Sequence, residues 1–304
     1  VKQRSHGKGM ILRGMNMAEA LDLLNIPPDC DVNKKDSVLY AHRTLDEGEI
    51  YFISNQSEKI MQFNPKFRVS DKKPELWDAV TGHIRPLPSF TQNDGVTAVP
   101  LQLEGGESTF IVFRAKGKPL ASESKVNYPQ PEIVSEVVTP WKVNFDSDEI
   151  RRGPAETVVF DKLQDWSQHE NEHIKYYSGT AVYKNIFAMP EQLDEDAGNH
   201  LFTRQRIYLD LGKVYVMAKV KINGQYAGGV WTPPYYMDIT SFLIGGNNEI
   251  EIEVVNTWVN RIIGDLQLQE EHRRVIPGAS SWKIDSPLQK SGLLGPVKII
   301  SVKH

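Results

Sequence analysis

The sequence predicts an all-β chain: two β-sandwich domains in series, the second a jelly roll, behind a short N-terminal α/β remnant. Three observations carry this. Near the C-terminal end apolar residues fall at every second position, as in Val214, Val216, Ala218, Val220 and Ile222 with Lys219 and Lys221 between them, which is the pattern of a strand with one buried face. Pro74, Pro86, Pro88 and Pro100 punctuate the stretch from Val38 to Ala115, and nothing in it is long enough for a helix. Nameable turns join the runs. Asn223-Gly224 closes a hairpin because both residues tolerate the positive φ of a type I′ turn, and Gly245-Gly246-Asn247-Asn248 launches the strand Glu249 to Val255, with Ile250, Ile252 and Val254 inward.

In chain order, residues 1–36 read as the end of an α/β domain. A short strand at Met10 to Leu12, with no strand before it to pair with, leads to Asn16 as helix N-cap, with Glu19 placed to complete a capping box. Ala20, Leu21 and Leu24 make an apolar face before Pro27-Pro28 stops the helix. Residues 37–115 form the first sandwich, with strands at Val38 to Tyr40, Ile50 to Ile53, Lys66 to Val69, Val96 to Leu103 and Ser108 to Arg114. The apolar run Ile50-Tyr51-Phe52-Ile53 suits a central strand. Residues 116–140, rich in Pro, Ser, Lys and Glu, read as a linker. Residues 141–304 form the second sandwich, through Trp141 to Phe145, Thr157 to Phe160, Gly179 to Phe187, Thr203 to Leu209, the Val214 to Val255 region and Val297 to Val302.

Composition excludes little beyond extremes. At 304 residues with a formal net charge of −4, the chain has no basic surface that suggests a nucleic-acid partner. The lone cysteine, Cys30, can form no internal disulfide, which leaves the redox compartment open. No run approaches the roughly 20 apolar residues of a membrane span. The opening on Val1 does not look like a natural start, so the chain is expected to be a piece of something longer.

Motifs with chemistry are few. His169-Glu170-Asn171-Glu172-His173 matches H-E-x-x-H, which on a helix would set two histidines on one face for zinc, as in a zinc peptidase. Its surroundings favour a polar loop before a strand. Glu132, Glu136, Glu156, Glu170, Glu172, Glu270 and Glu271 are available as carboxylates for glycoside hydrolysis, but none is set apart by its neighbours, so no catalytic residue is assigned. Aromatic residues beside turns are more informative, because sugars are held by flat aromatic faces with planar hydrogen-bonding side chains nearby. Trp231, Tyr235, Trp258, Asn260 and Arg261 are therefore the candidate carbohydrate-binding residues, the competing reading being that the tryptophans cap the core. No cofactor is expected. A structural calcium ion is an option, with Asp146, Asp148, Asp161 and Asp238 as ligands.

The segments GTAVYKNIF (179–187), INGQYAGGVWTPPYYMDIT (222–240) and GGNNEIEIEVVNTWVNRIIGD (245–265) resemble the sugar-binding, galactose-binding-like jelly roll of glycoside hydrolase family 2. HRTLDEGEIYFISNQ (42–56), FRVSDKKPELWDAVTG (67–82) and ESTFIVFR (107–114) resemble the β-domain that precedes such a jelly roll in bacterial enzymes of the α-L-rhamnosidase type, glycoside hydrolase family 106. The order of the domains fits the second family. The resemblance implies the non-catalytic C-terminal part of an enzyme that degrades plant or bacterial polysaccharide. Its partners would be carbohydrate and an upstream catalytic barrel of the same polypeptide, in a periplasmic or extracellular setting. The segment Asp165 to Ser178 would then be an active-site rim or interdomain contact. A free-standing carbohydrate-binding or adhesion protein is the alternative.

Overall fold

Strands dominate both halves of the molecule. The computed structural model describes all residues except 1–2, 34–36, 118–125, 190–204, 276, 279 and 304. Thr203, at the start of an expected strand, and residues 118–125 of the expected linker therefore lie outside the described residues. The chain divides into two units, Val1–Tyr128 and Pro129–His304. Among the described residues no helix is long and apolar enough to cross a membrane.

In the first unit a five-stranded antiparallel sheet runs in the order Val38–Leu45, Gly48–Asn55, Ser108–Lys116, Lys72–Asp78, Ile84–Pro86. Tyr51, Ile53, Ile111 and Phe113 point from it into a core shared with Phe67 and Leu101 of the shorter strands and with Val69 and Val99 beside them. The Ile50 to Ile53 run is thus buried on one face only: Tyr51 and Ile53 face the core, and Phe52 packs outside against Phe110 in a tilted pair at 5.1 Å. Gly48 is required where it stands, since a Cβ there would lie 2.3 Å from the Phe113 carbonyl oxygen. His42 bridges two carboxylates, Nδ1 to Asp29 and Nε2 to Glu49, both at 2.9 Å, while its ring stacks on Tyr51 at 4.1 Å. Burial would raise the Asp29 pKa, but the Tyr40 hydroxyl and His42 outweigh it and hold the carboxyl below its ordinary range. This clamp ties the segment after Pro28 to the sheet.

The N-terminal end of this unit differs from the expected remnant in one respect. Gly9–Leu12 does have a partner, pairing antiparallel with Gln3–His6. Helix α1 (Met17–Leu23) follows, with the capping box formed in full: Glu19 N–H donates to Asn16 Oδ1 and Asn16 N–H to Glu19 Oε2.

The second unit is a sandwich of a six-stranded and a four-stranded sheet with a short two-stranded ribbon. The six-stranded sheet runs in the order Val158–Phe160, Trp141–Phe145, Thr180–Met189, Gly246–Val255, Met217–Ile222, Gln225–Val230, antiparallel throughout. Opposite it lie Glu132–Glu136, Lys298–Lys303, Gln205–Asp210 and Tyr236–Asp238. Part of the expected linker is therefore a strand, Glu132–Glu136, whose partner is the last strand of the chain.

Two further expectations need correction. The Val214 to Ile222 strand is broken at Val216, which is exposed: Lys213–Tyr215 pairs with Gly292–Gly295, and only Met217–Ile222 joins the large sheet. The second concerns Trp258 to Arg261, read from the sequence only as residues beside a turn after a strand: they open a helix, α3 (Val259–Leu266). The Asn223-Gly224 hairpin is as expected, both residues at positive φ (50° and 76°) between Ile222 and Gln225.

Candidate functional site

The outward face of the six-stranded sheet can be laid out from its register, because inward and outward side chains alternate along every strand. Ala218, Val220, Ile222, Ile250, Ile252 and Val254 are buried inward. One outward row is then Thr180, Val255, Met217, with Trp231 one residue past the Ala218↔Val230 pair and so beside Met217. The next is Val182, Glu253, Lys219, Gly229, and the next Lys184, Glu251, Lys221, Tyr226. Strands lie about 4.8 Å apart, so the first row spans roughly 14 Å.

Each row has its own chemistry. The charges of the third are paired within it and with the second: Glu251 accepts from Lys184 at 3.0 Å and Lys221 at 2.7 Å, and Lys221 also reaches Glu253 of the second row at 3.3 Å. The hydrogen bond from Lys221 is the leading reason the Glu251 carboxyl sits below its ordinary range. At the edge strand Tyr226 and Trp231 are 60 % and 58 % exposed, and Met217 46 %. Between the two aromatics Gly229 has no side chain, and a Cβ placed there would lie 3.4 Å from the Tyr226 hydroxyl oxygen. The phenol therefore leans over the glycine toward Trp231. The result is an open, flat aromatic edge beside Lys219, the kind of surface on which the C–H face of a sugar ring packs while its hydroxyls reach polar neighbours. Tyr226 and Met217 were not expected from the sequence; an extra residue opposite the Val220 to Lys221 step shifts the alternation there and hides the shared face.

The other candidates separate into two kinds. Trp258, 44 % exposed, stands at the N-terminal end of α3 just past Val255. The strands ending in Val230 and Val255 are each antiparallel to Met217–Ile222, so they run the same way and both tryptophans emerge at one end of the sheet. Asp165 to Ser178 enters Thr180 at that same end. Tyr235 is half-buried against the core, and its carbonyl accepts from the Leu211 N–H at 2.9 Å. Asn260 and Arg261 are buried, at 1 % and 5 % exposure, so neither is placed to meet a ligand at the surface. Asn260 donates to the Gln289 carbonyl (2.7 Å) and accepts from the Gln289 N–H (2.8 Å). Arg261 Nη2 lies 2.8 Å from Asp265 Oδ1, one helical turn on. Burial pulls the guanidinium pKa down, opposed by the Asp265 charge.

Comparison with known proteins bears on what this scaffold is. The α-L-rhamnosidase family, glycoside hydrolase family 106, matches residues 1–92. The structure of a rhamnosidase from Novosphingobium sp. PP1Y superposes with a TM-score of 0.83 at 32 % identity, over 99 % of this chain and 27 % of that one. The chain is related to the α-L-rhamnosidase-type glycoside hydrolases. A Formosa agariphila protein provisionally named a beta-glucuronidase is 34 % identical over 238 residues, 71 % of this chain and 19 % of that protein. The chain thus spans between a fifth and about a quarter of the length of these glycoside hydrolase relatives.

In this glycoside hydrolase-related chain the H-E-x-x-H match is not built as a metal site. His169 lies in extended backbone after the 3-10 turn Trp166–Gln168, and Asn171 caps the single-turn helix α2 (Glu172–Lys175), so the two histidines do not share a helix. His169 Nδ1 accepts from the Asn171 N–H at 3.0 Å with its ring on Phe160, and His173 Nδ1 lies 2.8 Å from the Arg152 carbonyl. The segment is also less of a polar loop than its composition suggests: Trp166, Ile174 and Tyr177 are fully buried. Of the calcium candidates, Asp148 accepts from the backbone of Ile150 and Arg151, and Asp238 from Thr240 and, at 2.6 Å, Arg206. Asp146 faces Arg151 at 3.5 Å. Among the described residues no three His, Cys, Asp or Glu side chains are grouped to hold a metal ion, and Asp161 is no exception.

Proposed function

We propose that this chain is a non-catalytic β-domain portion of a glycoside hydrolase of the α-L-rhamnosidase type that acts on plant or bacterial polysaccharide, and that its second unit contacts carbohydrate. The observation that carries the reading is the exposed aromatic edge of Tyr226, Gly229 and Trp231, which shares an end of the sheet with Trp258. Large exposed aromatics grouped on one face of a soluble domain mark a binding surface. The chemistry of bond cleavage then belongs to a catalytic barrel elsewhere in the same polypeptide, and the periplasm or cell exterior, where such polysaccharides are met, is the proposed setting.

Isothermal titration calorimetry of the chain with rhamnose-containing and with glucuronate-containing polysaccharides tests the binding half. Binding to either, lost in Trp231→Ala with unfolding unchanged, supports the reading. Equal heats for the wild type and Trp231→Ala, or no binding to any polysaccharide in the panel, would leave a supporting role in the enzyme as the better account.

A further inference from the structure

The first 26 residues present a surface that the rest of this chain does not explain. Among the described residues Met10, Ile11, Met17, Leu21, Leu23, Leu24 and Ile26 are between 38 % and 75 % exposed. Met17, Leu21 and Leu24 recur at the i, i+4, i+7 spacing of one helix face. Exposed apolar side chains are ordinary when scattered, but seven within seventeen residues form a patch.

The elements that carry this patch also lack the means to hold themselves. Among the described residues the Gln3–His6 and Gly9–Leu12 ladder has no third strand, and an isolated two-stranded hairpin is at best marginal in water. Helix α1 has seven residues and buries none of them; a helix that short needs packing of an apolar face, since capping alone does not offset the cost of nucleation. No described residue before Cys30 belongs to the first unit's core. The segment nevertheless lies inside the 1–92 match to the α-L-rhamnosidase family, so these elements belong to what the chain shares with that family. The matched relatives are about four to five times longer than the part this chain covers.

We infer that the apolar face of the N-terminal hairpin and α1 is a docking surface for another domain of the same, longer polypeptide, which covers Met17, Leu21 and Leu24 with a complementary apolar patch. The inference rests on the reading that the chain is part of a longer glycoside hydrolase, and it is independent of whether the second unit binds carbohydrate.

Hydroxyl-radical footprinting with mass spectrometry tests it, using Met10 and Met17 as the probes in this chain and in the natural polypeptide that contains it. The expected result is several-fold lower oxidation of both in the natural polypeptide at every concentration. The paired variant Leu21→Asp/Leu24→Asp should lower the thermal midpoint of the natural polypeptide and leave that of this chain unchanged. Equal oxidation in the two, protection that appears in this chain alone as its concentration rises, or a natural polypeptide no longer than this chain would overturn the inference. The first outcome would mean an open face and the second a second copy as the cover. Calorimetry with polysaccharide reads the other unit, so failure here and failure of the carbohydrate reading are separately visible.

Discussion

Replacing Arg261 by Met separates a structural residue from a ligand-binding one. The guanidinium is 6 % exposed and its partner Asp265 is 1 % exposed. Asp265 Oδ2 accepts the Arg274 and Val275 N–H groups, both at 2.8 Å, while Oδ1 has no aligned hydrogen-bond donor and faces only the Arg261 charge. Arg261→Met keeps the apolar stem and strands that carboxylate. Breaking a buried pair from one side costs roughly 3–5 kcal/mol. At about 2–4 °C per kcal/mol for a unit of this size, the transition of the second unit should fall by on the order of 10 °C. Adding Asp265→Asn should restore most of the loss, because the amide oxygen can still accept from Arg274 and Val275 with no charge left unpaired. Urea unfolding of the intact chain, followed by far-ultraviolet circular dichroism, would show both effects as a large coupling between the two substitutions. A stability change under about 1 kcal/mol in Arg261→Met, with polysaccharide binding abolished, would refute the placement of Arg261 in the scaffold.

Three other outcomes are expected. Gly229→Val should lift the Tyr226 ring out of its position over the glycine and weaken polysaccharide binding on the order of tenfold, with some loss of stability as well because the added Cβ lies 3.3 Å from the Ala218 carbonyl oxygen of the neighbouring strand; titration calorimetry and a thermal scan together check it. Asn223→Ala should cost roughly 3 kcal/mol in urea, since the side chain donates to the Phe242 carbonyl and Asn248 Oδ1, accepts from the Glu249 N–H, and sits at φ 50°. Asn223→Gly should recover the part due to the backbone conformation. Glu107, whose pKa burial raises to about 7, binds its proton in the folded state over a pH range where the unfolded chain has lost it. First-unit stability should therefore fall as pH rises from about 4.5 to about 7. Glu107→Gln should remove that slope and raise stability by about 1–2 kcal/mol at pH 8, measured by urea unfolding across pH.

How much was legible follows from how local each signal is. The strand Gly246–Val255 and the Asn223-Gly224 turn show in the sequence because period-two alternation and positive-φ residues act within a few positions. The Asn16 to Glu19 capping box is equally local. Glu132–Glu136 is not, since its ladder partner lies more than 160 residues on in Lys298–Lys303 and its own residues resemble the neighbouring linker. Helix α3 was hidden by its composition. Asn, Arg and Asp are mostly surface residues, yet Asn260, Arg261 and Asp265 are buried here: Gln289 pairs with the Asn260 amide, the Arg274 and Val275 N–H groups donate to Asp265 Oδ2, and the Arg261 guanidinium lies against Asp265 Oδ1. The same logic moved two of the five candidate carbohydrate contacts into the scaffold and left Trp231 and Trp258 at the surface.

The two ends of the large sheet are built for different work. At one end Ile222 and Gln225 are joined by only Asn223 and Gly224, and Asn223 hydrogen-bonds Asn248, whose own side chain caps the turn at Ile244 and Gly246. Two asparagines thus close three neighbouring strand ends with their own amides. At the other end the strands finishing in Val230 and Val255 run into Trp231 and Trp258, and the strand beginning at Thr180 is fed by a segment anchored through Trp166, Ile174 and Tyr177. Longer connections on rigid anchors are where a sandwich can vary its chemistry without disturbing its ladders. The proposed carbohydrate contact would fall at this end, where Trp231 and Trp258 are exposed, and the buried Arg261–Asp265 pair within α3 is the polar anchor of the helix that Trp258 opens.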